Sequence, residues 1–141
     1  YEGTNGIQAA DLVTRKLALD NGEALTSLIE DIARESADEK SLFNLAGDCA
    51  AIVKWMREDA SLDDKLAGSV PFCTMMAVAT AGWQLTRQLK AVEGDAEIAQ
   101  AKRATVRFFL DRIVPEASGL KASAIAGGDA LYDIPTEALL H

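Results

Sequence analysis

Apolar residues recur along most of this chain at intervals of three and four, the spacing that gathers side chains on one face of an α-helix. No stretch alternates as a half-buried strand does, so the pattern predicts an all-α fold. Ile7, Ala10, Val13 and Leu17 line one face of a first helix, which Asn21-Gly22 should end, with Gly22 as the left-handed residue past the terminus. Leu25, Leu28, Ile29, Ile32 and Ala33 mark a second helix. The charged stretch Ser36 to Lys40 behind it is short, which implies an antiparallel neighbour. Leu42, Leu45, Ala46, Cys49, Ile52, Val53 and Met56 form the buried stripe of a third helix ending near Ala60.

Ser61, with Asp63 and Asp64 behind it, is a helix-start signal that places acidic groups where the helix dipole favours them. The fourth helix runs from there to about Val92, with a kink or break at Pro71 and its regular part beginning near Phe72. Its core candidates are Phe72, Met75, Met76, Ala79, Trp83, Leu85 and Leu89, while Ala77, Ala79, Ala81 and Gly82 leave room for another helix to come close. Glu93-Gly94-Asp95 is the clearest turn. After it, Ile98, Ala101, Thr105, Phe108, Phe109 and Ile113 define the apolar face of a fifth helix, with Lys102, Arg103, Arg107 and Arg112 opposite. Pro115 should bend that helix, and an alanine-rich tail carries it to Gly127-Gly128. The expected architecture is an antiparallel bundle of about five helices, the fourth and fifth long and bent at Pro71 and Pro115. The doublets Met75-Met76 and Phe108-Phe109 read as ordinary core, and Trp55 reads as partly exposed at a helix end.

Charge narrows the classes of partner. The net charge of −8 is concentrated between residues 20 and 64, where twelve Asp or Glu face four Lys or Arg. Long-range repulsion from that region disfavours nucleic acid. The basic face of the fifth helix can pair with it, within the fold or across a subunit contact. No apolar run is long enough to cross a bilayer, and the start lacks the basic-then-apolar order of an export signal. Cys49 and Cys73 fall among apolar neighbours and read as reduced, buried thiols. The sole histidine is His141, so neither a Cys–His pair, a zinc site nor a di-iron bundle is indicated, and no metal is expected.

One stretch carries chemistry: Tyr1-Glu2-Gly3-Thr4-Asn5-Gly6-Ile7-Gln8. A glutamate on a glycine-flanked turn can offer both a carboxylate that accepts a proton and its own backbone N–H as a donor. The residues alone equally allow a plain loop opening a helix, with Thr4 or Asn5 as its N-cap. With Asp11-Leu12-Val13 and Arg15-Lys16-Leu17 behind it, the stretch resembles, nearly letter for letter, the catalytic-glutamate segment of the acyl-CoA dehydrogenases. Arg107-Phe108-Phe109 and Arg112-Ile113-Val114-Pro115-Glu116-Ala117 are similar to the helical C-terminal extension of one subgroup, which includes an enzyme of a methylthio-propionyl thioester.

The resemblance implies that Glu2 is the catalytic base, that Tyr1 and Gly3 meet the acyl-CoA substrate, and that Thr4, Asn5 and Gly6 touch the nucleotide of FAD. It further implies a homo-oligomer of the cytoplasm, or of the mitochondrial matrix in a eukaryote, with electron-transferring flavoprotein as acceptor. In that family the segment lies late in the chain, so the flavin-binding domains are expected upstream, and a start at Tyr1 without Met fits a fragment. On this reading residues 1–22 end the catalytic core, 23–126 form a helical extension, and 127–141 a turn-rich arm. The isolated fragment is expected to be inactive and architectural. Two alternatives stay open: an acyl-CoA oxidase using the same base, and a non-enzymatic helical oligomerisation module.

Overall fold

The fold was read from a computed structural model that describes residues 4–140. It is all-α, and no strand occurs among the described residues. Among the described residues eight α-helices follow one another: α1 (Thr4–Thr14), α2 (Glu23–Glu35), α3 (Lys40–Glu58), α4 (Leu62–Ala67), α5 (Ser69–Lys90), α6 (Glu97–Phe108), α7 (Val114–Ser118) and α8 (Lys121–Ala124). The bundle is built around α3 and α5, which pack on each other. α2 lies along α3, α1 along α5, and α7 and α8 close on both.

All seven residues of the expected α3 stripe, Leu42 to Met56, are buried. They share one cluster with Phe72, Met75, Met76 and Ala79 of α5. A fully buried side chain of this size contributes about 1.5–3 kcal/mol relative to an exposed one, so this seam dominates the stability. Gly82 permits the close crossing: a Cβ there would lie 3.0 Å from Leu42 Cδ1 and 3.5 Å from Phe109 Cε1. Trp83, Leu85 and Leu89 are half-buried and pack on the rim of the cluster.

The first helix is shorter than its apolar period suggests. α1 ends at Thr14, and Lys16–Gly22 form a 3₁₀ segment containing an extended Leu19 (ψ 134°) and left-handed Asp20, Asn21 and Gly22 (φ 50°, 57° and 84°). Asp and Asn tolerate that conformation better than other side-chain-bearing residues, so the turn starts before the glycine. Arg57 lies over it, Nη2 donating to the Asn21 carbonyl at 2.8 Å. Ala9, Val13 and Leu17 carry the buried face, whereas Ile7 is 71% exposed.

Ser61 caps α4 as expected: its Oγ accepts from the Asp64 N–H (3.2 Å) and its own N–H donates to Asp64 Oδ2 (2.9 Å). The break then falls at Gly68, not Pro71. Pro71 sits in the first turn of α5, where no intrahelical bond needs its missing N–H. Gly68 is required because a Cβ would collide with the Ala124 carbonyl of α8.

The fifth predicted helix differs most. Phe109–Ile113 form a π turn in which the Val114 N–H bonds to the Phe109 carbonyl, so Pro115 enters near the start of α7 without an N–H to lose. Ser41 Oγ donates to the Leu110 carbonyl inside this turn at 3.3 Å. The buried face is Ala99, Val106, Leu110, Val114 and Ala117. Ile98 is 81% and Phe108 62% exposed, so the predicted stripe faces solvent and only Phe109 and Ile113 of it are half-buried. Two stripes share the helical period here, and the π turn selects the one that stays on the core through Pro115. The Met75-Met76 doublet is core as expected; Phe108 is not.

The expected charge pairing occurs within the fold. Arg107 Nη2 lies 2.9 Å from Glu39 Oε2, and Lys121 Nζ 2.6 Å from Asp48 Oδ1. Trp83 Nε1 donates to Glu35 Oε2 at 2.8 Å, under Arg87, whose Cζ lies 5.2 Å from the ring centre. The C-terminal arm is largely exposed, and Gly128 ties it to α4 by donating its N–H to Asp64 Oδ1 at 2.8 Å.

Candidate functional site

Tyr1, Glu2 and Gly3 lie outside the described residues. Thr4, Asn5 and Gly6 are exposed and already helical, in the first turn of α1 among the described residues, so neither Thr4 nor Asn5 stands ahead of the helix as an N-cap. Ala9 and Val13 anchor α1 on the bundle. On its outer side Arg15 makes two bonds of 2.7 Å to the Asp11 carboxylate, through Nε and Nη2. The Arg15 guanidinium holds the Asp11 carboxyl below the usual carboxylate range. This part of the motif therefore stiffens the helix that carries the first turn.

Beside that turn runs a groove of about 340 Å³ between α1 and α5, lined by Asn5, Gly6 and Ala9 on one side and Val70, Cys73 and Ala77 on the other. Cys73 and Ala77 also line a second, more apolar hollow of about 480 Å³, whose other wall is Leu12 of α1 with Leu25 and Leu28 of α2. Cys73 is half-buried and faces both hollows, in place of the buried core position expected for it. Cys49 is fully buried; burial first, then the charge of Asp48, pushes its thiol up to about 12, which removes it as a nucleophile.

A third hollow of about 450 Å³ brings Arg57 and Lys65 near Thr14 and Asn21. Arg57 is committed there to the Asn21 carbonyl, so its role is to hold the turn before α2. No group of three or more His, Cys, Asp or Glu capable of holding a metal occurs among the described residues. Nor is any helix among them long and apolar enough to cross a membrane.

Asn5 and Gly6 are exposed, and nothing lies within 4 Å of a Cβ built on Gly6, so the backbone there is open to the close approach of a ligand. Helical period alone did not disclose the α1–α5 groove. Its signal was present, because no charged residue occurs between Leu66 and Thr86.

Residues 23–135 match the family described as acetyl-CoA dehydrogenase C-terminal like. The chain belongs to the acyl-CoA dehydrogenase family, as a C-terminal piece of it. One relative within the family is 3-methylmercaptopropionyl-CoA dehydrogenase of Ruegeria pomeroyi, 34% identical over 153 aligned residues that take in 93% of this chain. The alignment covers 26% of that enzyme, so the chain spans about a quarter of the length of this relative. No solved structure matches.

Proposed function

We propose that this chain is the C-terminal region of an FAD-dependent acyl-CoA dehydrogenase and that it supplies the base of the reaction, Glu2. The observation that carries the proposal is the catalytic-type word Tyr1 to Gln8 standing immediately before a stretch that matches the family's C-terminal region. The reaction is α,β-dehydrogenation of an acyl-CoA thioester. Glu2 removes the proton alpha to the thioester carbonyl, and its backbone N–H donates to the carbonyl oxygen as enolate charge develops. Exclusion of water by the acyl chain raises the proton affinity of that carboxylate toward what the step requires.

Tyr1 flanks the substrate channel, and Gly3 lets the thioester approach the base. Thr4, Asn5 and Gly6 hold the FAD nucleotide at the start of α1. FAD, when bound, supplies the ring that accepts the β-hydrogen as hydride. Residues 1–22 complete the catalytic core, 23–126 form a covering extension, and 127–141 an arm, so the piece alone is architectural and inactive. The complete enzyme is a homo-oligomer of the cytoplasm, or of the matrix in a eukaryote, passing electrons to an electron-transferring flavoprotein.

The test is spectroscopic. Full-length protein should carry flavin absorbance that bleaches on anaerobic addition of acyl-CoA. Protein that lacks flavin overturns the reading, and rapid peroxide release in air assigns the oxidase reaction instead.

A further inference from the structure

Helix α5 carries no charged side chain from Ser69 to Thr86, yet one stripe of it stays uncovered between the helices packed around it. Phe72, Met75, Met76 and Ala79 are buried in the core, while Val70 is 55% exposed and Thr74, Ala77 and Ala81 are exposed as well. A helix with one covered face ordinarily carries charge on the other, and a helix without charge all round belongs to an interior. α1 and α2 flank the open face and make it a trough. Its near part opens beside Asn5 and Gly6, its far part lies under Leu12, Leu25 and Leu28, and Cys73 and Ala77 belong to both.

We propose that this trough seats the flavin-bearing remainder of the same enzyme, which lays an uncharged, apolar element along α5. The inference rests on the function proposed above and adds where the two parts of the enzyme meet. Three observations select the occupant. The relative from Ruegeria pomeroyi has only 26% of its length in the aligned region, so a large body accompanies a domain of this kind. The near end of the trough is lined by two of the residues assigned to the flavin nucleotide, so a body that holds flavin there must lie against α5. Finally, no charged side chain lines either part, which suits a permanent contact with the same polypeptide and offers nothing to a charged partner.

Cys73 makes the seat measurable, because it lies at the centre of the trough while Cys49 reports on the core. The experiment labels flavin-loaded full-length enzyme with N-ethylmaleimide and follows the Cys73 and Cys49 peptides by mass spectrometry. Cys73 should react at least tenfold faster in Ala77→Glu, and in Ala81→Glu at the far end, than in the wild type. Cys49 should stay unlabelled in every variant, which certifies the fold. Ala51→Glu, on the exposed side of α3, should leave the Cys73 rate unchanged.

Equal labelling of Cys73 in the wild type and the α5 variants overturns the proposal. So does protection that disappears on dilution, because a second copy of the chain then covers the trough. Wild-type protein without flavin counts against the proposed function instead, and is read independently from the absorbance spectrum.

Discussion

α3 and α5 lie against each other and bury matching stripes, but they differ in what they turn outward. α3 exposes Phe43, Asn44, Ala50 and Ala51 together with Lys54, Arg57 and Glu58; α5 exposes Val70, Thr74, Ala77, Ala81 and Gln84, and charge appears on it only from Arg87 onward. The inner faces make one core, so the difference has nothing to do with holding this bundle together. The outer face of α3 ends in charge over its last two turns, whereas the outer stripe of α5 stays uncharged for about four turns before Arg87. That uncharged stripe lies beside the α1 turn that bears the candidate site.

Damage to the core that α3 and α5 share should have the largest effect. Phe72→Ala should cost about 3–5 kcal/mol, measured by urea unfolding, because a fully buried ring is lost at the seam of both helices. A loss below 1 kcal/mol would mean that α3 and α5 do not depend on a common interior. Next in size is the α4–α5 junction. Gly68→Ala should destabilise by about 1–3 kcal/mol, since the methyl group meets the Ala124 backbone and α8 must move.

The outer faces sharpen the contrast. In the 141-residue chain, Ala51→Glu on α3 and Ala77→Glu on α5 should each change unfolding free energy by no more than about 0.5 kcal/mol, as both are exposed helix positions. In the full-length enzyme only Ala77→Glu should lower the melting temperature. Equal effects there would erase the distinction between the two faces.

The smallest effect concerns the arm. Hydrogen bonds from Ser61 and from the Gly128 N–H hold the Asp64 carboxyl below its ordinary range, so the folded state takes up that proton less readily than the unfolded one. The contribution is present above the ordinary carboxylate value and is lost as pH falls through the lowered value. The protection of the Gly128 amide, its exchange rate relative to the intrinsic rate at the same pH, should therefore be high at neutral pH and fall in acid. In Asp64→Ala it should be low throughout, and high protection at every pH in that variant would detach the arm from Asp64.

Much of this architecture was legible in the sequence. The α3 stripe and the Ser61 cap depend on local spacing and local hydrogen bonds, and both stand as read. α6 was read on the wrong face because Ile98–Phe108 and Ala99–Val106 share one period, and only the π turn before Pro115 decides between them. Pro71 misplaced the α5 break for a related reason: proline is harmless in a first turn, and the constraint at Gly68 comes from α8, distant in sequence. For the site, resemblance picked out Tyr1 to Gly6. The trough was hidden because the inner stripe of α5 already satisfied a search for helical period, and the meaningful sign was a missing one, the charges that an exposed face should carry.

If, as proposed, Glu2 takes the α-proton while the rest of the enzyme holds the flavin, Glu2→Gln in the full-length protein should slow stopped-flow bleaching of the flavin by acyl-CoA under anaerobic conditions about 10²–10⁴-fold, with flavin content and melting temperature unchanged. Bleaching at the wild-type rate would contradict that role for Glu2.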